Sequence, residues 1–150
     1  MYIKYLFYLA ATVVLAMGFV YCSKSTISEK DAKQVLQQFY SDDAPESIND
    51  RFLLQAGKPI VPYVAAEIAD RNMPKRRYAI IVLGTIGDAR ALPALEKIIN
   101  DQTESAWIRG DALTAIWHIN KEMGKEYARK YGGDKGYMDR TIQLLGEGAI

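Results

Sequence analysis

Apolar residues in the middle of the chain recur at helical spacing in two neighbouring segments, 76–86 and about 92–100. The apolar face of the first segment holds Ala79, Ile80, Leu83 and Ile86, with Val82 at its flank. The apolar face of the second holds Leu92, Leu95, Ile98 and Ile99. Positions three and four apart share one face of an α-helix, so each segment predicts an amphipathic helix. Gly87 and Asp88 lie between them and predict a tight turn.

A weaker copy of this helix pair lies on each side of it. An offset of 33 residues places Arg76 on Arg109. It also matches the apolar positions of the segment after Arg76 with those of the segment after Arg109. An offset of 30 residues places Gly87 on Gly57. A period of this size is typical of helical repeat proteins, in which each pair buries its open face against the next. We therefore predict an all-α fold, a short α-α superhelix (solenoid) of about three helix pairs at 46–131.

Glycines and prolines set the predicted helix ends. Gly57 and Gly87 follow a helix, where glycine adopts the left-handed conformation without steric cost. Asp88 can cap the next helix. Pro62 and Pro93 fit only the first turn of a helix, so the second helix of each pair should begin close to them. Small residues that allow helices to approach closely recur in the copies: Ala79, Gly84, Ala112 and Ala115.

A further helix is predicted before the repeats. Ser28 can accept a hydrogen bond from the backbone N–H of Asp31, which is typical of a helix N-terminus. An apolar stripe at helical spacing follows over roughly 29–40. We interpret 23–45 as a linker and an entry helix.

A closing helix is predicted after the repeats, in the region 132–150. Apolar positions between Tyr137 and Leu145 have helical spacing over about ten residues,. A terminal helix of this kind would cover the open face of the last repeat.

The N-terminal segment has a different character. Residues 5–21, YLFYLAATVVLAMGFVY, contain no charged side chain. Such a run is typical of a signal-peptide core or a short membrane-spanning anchor, since about 20 apolar residues cross a bilayer. We therefore predict a signal peptide or membrane anchor at 1–22. This places the remainder at the outer side of a bacterial cytoplasmic membrane or in the periplasm.

Cys22 is the single cysteine and ends the apolar run. Its place resembles that of the lipidated cysteine in bacterial lipoproteins. Phe19 and Tyr21 stand where the lipoprotein signal has leucine and a small residue. Two readings therefore stay open: Cys22 carries a lipid, or it is a free cysteine at the end of an uncleaved anchor.

Charge and composition exclude several classes of function. The formal net charge is +1, so no basic field points to nucleic acid,. One cysteine rules out an internal disulfide framework, and the single histidine, His118, rules out a metal site built on several histidines,. No nucleophile motif or phosphate-binding loop is present, and helix capping accounts for most of the scattered carboxylates. We expect no catalytic residues, no metal and no cofactor.

The residues from Arg76 to Leu95 resemble a HEAT-like repeat of the short kind found in phycobilisome lyase subunits. The matching pattern is R-x-x-A-I-x-V-L-G-x-I-G-D-x-x-A-L-P-A-L, and it recurs in part over Arg109–Ile119. The resemblance implies a protein-binding scaffold whose second helices line a concave side. It also leaves open a subunit of an enzyme related to bilin lyases, or a structural subunit of an envelope complex.

The expected binding residues are those that the apolar stripes leave outside on the second helices. They are Tyr63, Glu67, Arg71, Arg90, Glu96, Lys97, Asn100, Lys125, Arg129 and Lys130. We expect the partner to be another protein. We expect the membrane to be contacted through residues 5–21 or through a lipid on Cys22.

Overall fold

The computed structural model describes residues 26–41, 51–133 and 136–149. These parts of the chain form eight α-helices and two short 3₁₀ turns, and they contain no strand. The helices are α1 (Glu29–Ser41), α2 (Arg51–Ala56), α3 (Val61–Glu67), α4 (Arg76–Ile86), α5 (Leu92–Asn100), α6 (Ala106–Ile119), α7 (Lys121–Tyr131) and α8 (Tyr137–Glu147). The 3₁₀ turns, Lys58–Ile60 and Ala89–Ala91, precede α3 and α5.

The helices form two layers. In the first layer α2, α4, α6 and α8 follow one another, each in contact with the next. In the second layer α1, α3, α5 and α7 follow one another through helix and side-chain contacts. The described residues are therefore all-helical, as predicted, and their arrangement is consistent with an α-α superhelix.

Caps and turns agree with the residues that predict them. The backbone N–H of Asp31 donates to Ser28 Oγ at 3.1 Å, and that of Arg90 donates to Asp88 Oδ1 at 3.0 Å. Gly87 ends α4 with φ of 70°, in the left-handed region. The prolines at 62 and 93 lie in the first turns of α3 and α5.

The first-layer helices approach closely at a glycine. A Cβ added to Gly84 of α4 would lie 2.7 Å from the Cα of Ala115 on α6. That distance leaves no room for a side chain, so the small-residue pattern marks a real helix crossing.

Buried arginines connect two first-layer helices, α4 and α6, to the helix before each. Arg76 Nε donates to the carbonyl oxygen of Ile68 at 2.7 Å, and Arg109 Nε donates to that of Ile99 at 3.1 Å. Each arginine lies in the first turn of its helix and is nearly fully buried. The same contact thus occurs at matching positions of two successive helix pairs.

The predicted signal or anchor at 1–22, with the 5–21 run and Cys22, lies outside the described residues. Within the described parts of the chain, no helix is both long and apolar enough to cross a membrane.

Candidate functional site

The ten predicted binding residues lie in or beside the second-layer helices α3, α5 and α7, but not as one continuous surface. Arg71 and Lys97 line a cavity between α3 and α5. Glu96, Asn100 and Lys130 meet two tyrosines between α5 and α7. The other five residues lie elsewhere around the layer.

The cavity between α3 and α5, hereafter the α3–α5 cavity, has a volume of about 260 Å³. Four alanines form much of its wall: Ala65, Ala66, Ala69 and Ala94. Ile98 and five charged residues supply the rest, of which three are basic and two acidic. The cavity is therefore lined by both apolar and charged side chains.

Both acidic groups of the α3–α5 cavity are already paired. Asp101 accepts hydrogen bonds from Arg71 and from the side chain and backbone N–H of Thr103. The bond from the Thr103 hydroxyl, then that from Arg71, then that from the Thr103 backbone N–H lower the pKa of Asp101 to about 2. Glu104 accepts from Arg76 Nη1 at 2.6 Å and from the backbone N–H of Ser105.

Two basic groups in the α3–α5 cavity keep unused donors. Arg76 is only 8% exposed, and its hydrogen bonds within the described chain involve Nε and Nη1, leaving Nη2 unbonded. Lys97 is exposed, and no acceptor within the described chain engages its ammonium group. The cavity thus offers N–H donors without matching acceptors.

A second group of side chains, hereafter the tyrosine cluster, joins α5 to α7. The rings of Tyr127 and Tyr131 stack with centroids 6.2 Å apart and planes 6° apart, and the Lys130 ammonium lies over both rings. Tyr127 donates to Glu96 at 2.8 Å, and Lys130 and Tyr131 each donate to Asn100 Oδ1 at 2.7 Å. Burial, followed by the bond to Glu96, raises the pKa of Tyr127. These contacts fix five side chains on a partly exposed surface.

Tyr63 and Glu67 turn toward α1 instead of toward a neighbouring repeat. The Tyr63 hydroxyl donates to the carbonyl oxygen of Ile27 at 3.4 Å, and the Tyr40 hydroxyl donates to Glu67 at 3.5 Å. Burial and the Glu67 charge raise the pKa of Tyr40 to about 12. These two predicted residues therefore help to attach α1.

The remaining predicted residues lie apart from both clusters. Arg90, at the turn before α5, donates to the carbonyl oxygen of Lys58 and to Asp88. This pairing lowers the pKa of Asp88 to about 2. On α7, Lys125 pairs with Glu122 at 2.7 Å, and Arg129 is exposed.

Sequence reasoning missed a group on the first layer. Trp107 is 57% exposed and stacks on Tyr137 with centroids 5.1 Å apart. Arg77 Nε donates to Asp111 at 2.6 Å, and its guanidinium lies 5.7 Å from the Trp107 ring. Asp111 is buried within α6, and burial raises its pKa, although Arg77 acts in the opposite direction. Capping, the role expected of the scattered carboxylates, does not apply to Asp111.

Sequence reasoning also left out Arg76, Asp101 and Glu104, which complete the α3–α5 cavity. The spacing of these residues in the sequence does not indicate that they share a cavity. The two acids lie in a loop after α5 and pair with arginines near the start of α4. Among the described residues, no three histidine, cysteine, aspartate or glutamate side chains are placed to hold a metal ion. The side chains at hand can bind by hydrogen bonds, ion pairs and aromatic contact.

Comparison with known families gives one match. A family model described as PBS lyase HEAT-like repeat matches residues 75–101, the stretch that forms α4, the turn and α5. This supports a HEAT-like repeat in the chain and agrees with the helix pair predicted there. No curated protein and no solved structure matches the chain.

Proposed function

We propose that this protein is a non-enzymatic, membrane-tethered scaffold that binds another protein through the tyrosine cluster. The HEAT-like repeat at 75–101 supports a role as a helical scaffold. Stacking of about three helix pairs into a short solenoid would present the second-layer helices as a rigid surface.

The observation that carries this proposal is the fixed geometry of the tyrosine cluster. Tyrosine is among the side chains that contribute most to protein interfaces, because it has a large contact area and few rotatable bonds. Tyr127, Tyr131 and Lys130 are held by Glu96 and Asn100 before any partner arrives. These side chains would therefore lose less conformational entropy when a partner binds than mobile side chains would.

The tether is proposed from the sequence. The uncharged run 5–21 would insert as a signal or anchor, with Cys22 as a candidate for lipid attachment,. Anchoring would place the repeats at the outer side of a bacterial cytoplasmic membrane or in the periplasm. It would also raise the local concentration of the repeats near a membrane partner.

Site-specific crosslinking in cells tests the binding surface. A photo-crosslinking residue replaces Glu126, an exposed position beside Tyr127, and a matched one replaces His118, which is exposed on α6. We expect one dominant partner band from position 126, reduced by Lys130→Glu and Tyr131→Ala but unchanged by Lys121→Glu. Equal crosslinking from both positions would contradict the proposal. Crosslinks only to a second copy of the chain would also contradict it and would indicate a self-assembling structural subunit.

Fractionation tests the tether. Full-length protein should remain with membranes after alkaline carbonate washing, and deletion of residues 1–22 should release it. The intact mass of the purified protein identifies the tether. A chain that begins at Cys22 and carries added acyl mass would assign it to a lipid, and an uncleaved, unmodified chain would assign it to a spanning helix. Recovery of the full-length protein in the soluble fraction would contradict membrane tethering.

A second candidate function follows from the name of the matching family. PBS lyase HEAT-like repeats are named for a lyase, so a subunit of an enzyme related to bilin lyases stays open. Expression together with a bilin tests it by visible absorbance of the purified protein. A pigment that survives denaturing gel electrophoresis would favour this second function over the scaffold.

A further inference from the structure

We propose that the α3–α5 cavity binds the C-terminal carboxylate of a partner polypeptide together with its small or aliphatic last side chain. The proposal rests on the proposed function, because it assumes that a protein partner binds the second layer. The α3–α5 cavity would recognise the C-terminus of that partner beside the tyrosine cluster.

One buried side chain that lines the α3–α5 cavity has a hydrogen-bond donor without an acceptor. Arg76 is a buried guanidinium whose Nη2 group has no hydrogen-bond partner in the described chain. A buried donor without an acceptor is costly, so a ligand that supplies one binds favourably. Lys97 adds a second cationic donor in the same cavity.

The charges in the α3–α5 cavity favour an anion over a cation. Each carboxylate oxygen of Asp101 and Glu104 already accepts at least one hydrogen bond; the donors are Arg71, Thr103, Arg76 and the Ser105 N–H. The remaining cationic donors are therefore not matched by free carboxylate oxygens. A carboxylate accepts from guanidinium and ammonium groups with charge-assisted hydrogen bonds, which are stronger than neutral ones.

The size of the α3–α5 cavity and its alanine walls favour a chain terminus. The volume of about 260 Å³ is slightly smaller than that of typical small-molecule sites, which have volumes of roughly 300–1,000 Å³,. It suits a residue or two of a peptide. A C-terminal residue carries its carboxylate one bond from its own Cα, so the carboxylate and an apolar side chain can enter together. An internal glutamate would bring only its methylene groups to the walls formed by residues such as Ala66 and Ala94.

Peptide binding tests the proposal with the full-length protein in detergent micelles. Fluorescein-labelled glycine–serine peptides end in alanine, valine or leucine, each with either a free carboxylate or a terminal amide. A further amidated peptide carries one internal glutamate. The affinities are measured by fluorescence anisotropy. We expect at least one peptide with a free C-terminal carboxylate to bind about tenfold or more tightly than its amide and than the glutamate peptide. Equal binding of acids and amides would overturn the proposal, as would equal binding of the glutamate peptide.

Two variants locate the binding within the α3–α5 cavity. Lys97→Gln removes an exposed cation, and Ala66→Leu fills the wall from an exposed position, so both should leave the fold intact. We expect each to weaken binding of the preferred free acid about fivefold or more, whereas Lys121→Gln and Ala106→Leu, the matched controls at exposed sites outside the cavity, should not. Arg76 is left unchanged because it also binds the carbonyl of Ile68 and Glu104. Unchanged binding in Lys97→Gln and Ala66→Leu would overturn the assignment to this cavity.

The result is separable from the proposed function. Lys130→Glu alters the tyrosine cluster and should leave peptide binding unchanged. If carboxylate preference is absent while cellular crosslinking still depends on Lys130 and Tyr131, the cavity proposal fails and the scaffold proposal stands. If the peptides bind as expected while crosslinking is independent of those residues, the cavity proposal stands and the assigned protein-binding surface fails.

Discussion

Gly84 lies where α4 crosses α6, and the absence of its side chain sets the distance between the two helices. A Cβ at this position would meet the Cα of Ala115 at 2.7 Å, so part of the backbone would have to shift. We expect Gly84→Ala to lower the free energy of unfolding by about 1–3 kcal/mol in urea denaturation, despite the better helix propensity of alanine.

Gly146 in α8 is the matched control for this substitution. A Cβ there meets nothing within 4 Å, and the residue lies in a helix. Gly146→Ala should therefore raise the free energy of unfolding by about 0.5–1 kcal/mol. A gain in stability for Gly84→Ala similar to that for Gly146→Ala would show that α4 and α6 do not approach so closely.

Asp88 gives a prediction for pH dependence. Its pKa is lowered to about 2 by Arg90, whereas an unfolded aspartate titrates near about 3.9,. The ionised carboxylate therefore stabilises the fold above about pH 4, and this contribution is lost as the pH falls toward 2. Asp88→Asn keeps an acceptor for the Arg90 N–H but removes the charge.

Urea denaturation at several pH values tests this expectation. The wild type should be more stable than Asp88→Asn at pH 7, by an amount of the order seen for an exposed ion pair. This difference should shrink between pH 4 and pH 2. A difference that stays constant over that range would mean that the charge of Asp88 does not stabilise the fold.

Single residues were predictable where the backbone alone dictates them. Gly87 and the two prolines mark a helix end and first helical turns because each permits or restricts particular dihedral angles. Asp88 marks a helix start because its carboxylate accepts a hydrogen bond from a backbone N–H,. Burial of Arg76 was not predictable in this way. Its partners, the carbonyl of Ile68 and the carboxylate of Glu104, come from loops whose course depends on the packing of three helices.

At the scale of helices, α8 occupies the place that the first helix of another repeat would take. It packs on α6 and α7, with the Tyr137 ring lying over Gly110 of α6. Its buried residues are Met138, Thr141 and Leu145. The closing helix predicted between Tyr137 and Leu145 is thus present and lies in the first layer.

Leu145→Ala tests the attachment of α8. Leu145 is almost fully buried, so its truncation should lower the free energy of unfolding by about 2–4 kcal/mol,. The adjacent Leu144 is only partly buried, and Leu144→Ala should cost clearly less. Thermal melts of the two variants provide the measurement, and equal losses would mean that α8 does not use this face against α6.

Helix positions were easier to predict than helix partners. The spacing of apolar residues predicts α4, α5 and α1 closely, because a helix face is a local property of the sequence,. The place of α1 beside α3 was not predicted. The contacts that place it there include the Tyr63 bond to the Ile27 carbonyl and the Tyr40 bond to Glu67, which join residues 36 and 27 positions apart.

The same limit applies to the candidate site. Periodicity identified the second-layer helices and so found Glu96, Asn100 and Lys130 of the tyrosine cluster. It treated every exposed position on those helices alike and therefore also included Arg90, which lies at a turn. Sorting the residues into separate surfaces requires the rotation of each helix against its neighbours, which the pattern of one helix does not contain.

At the scale of the whole molecule, α6 is the helix through which the described parts are most connected. It contacts α4 and α5 on one side and α7 and α8 on the other. By contrast, α2 contacts α1, α4 and the first 3₁₀ turn. In a repeat architecture each helix pair is stabilised by its neighbours. Truncation of a buried side chain in α6 should therefore destabilise more helices than the same truncation in α2.

Two buried leucines allow this difference to be measured. Leu113 in α6 and Leu53 in α2 are both fully buried, and truncation of either should cost about 2–5 kcal/mol,. In hydrogen-exchange mass spectrometry we expect Leu113→Ala to accelerate exchange from α4 through α8. Leu53→Ala should accelerate exchange mainly in α1–α3, because its effect must pass through α4 to reach α6. Equal acceleration across all helices in both variants would mean that the protein unfolds as one cooperative unit. Helices α5 and α7, which carry the proposed binding surface, would then be as sensitive to a substitution in α2 as to one in α6.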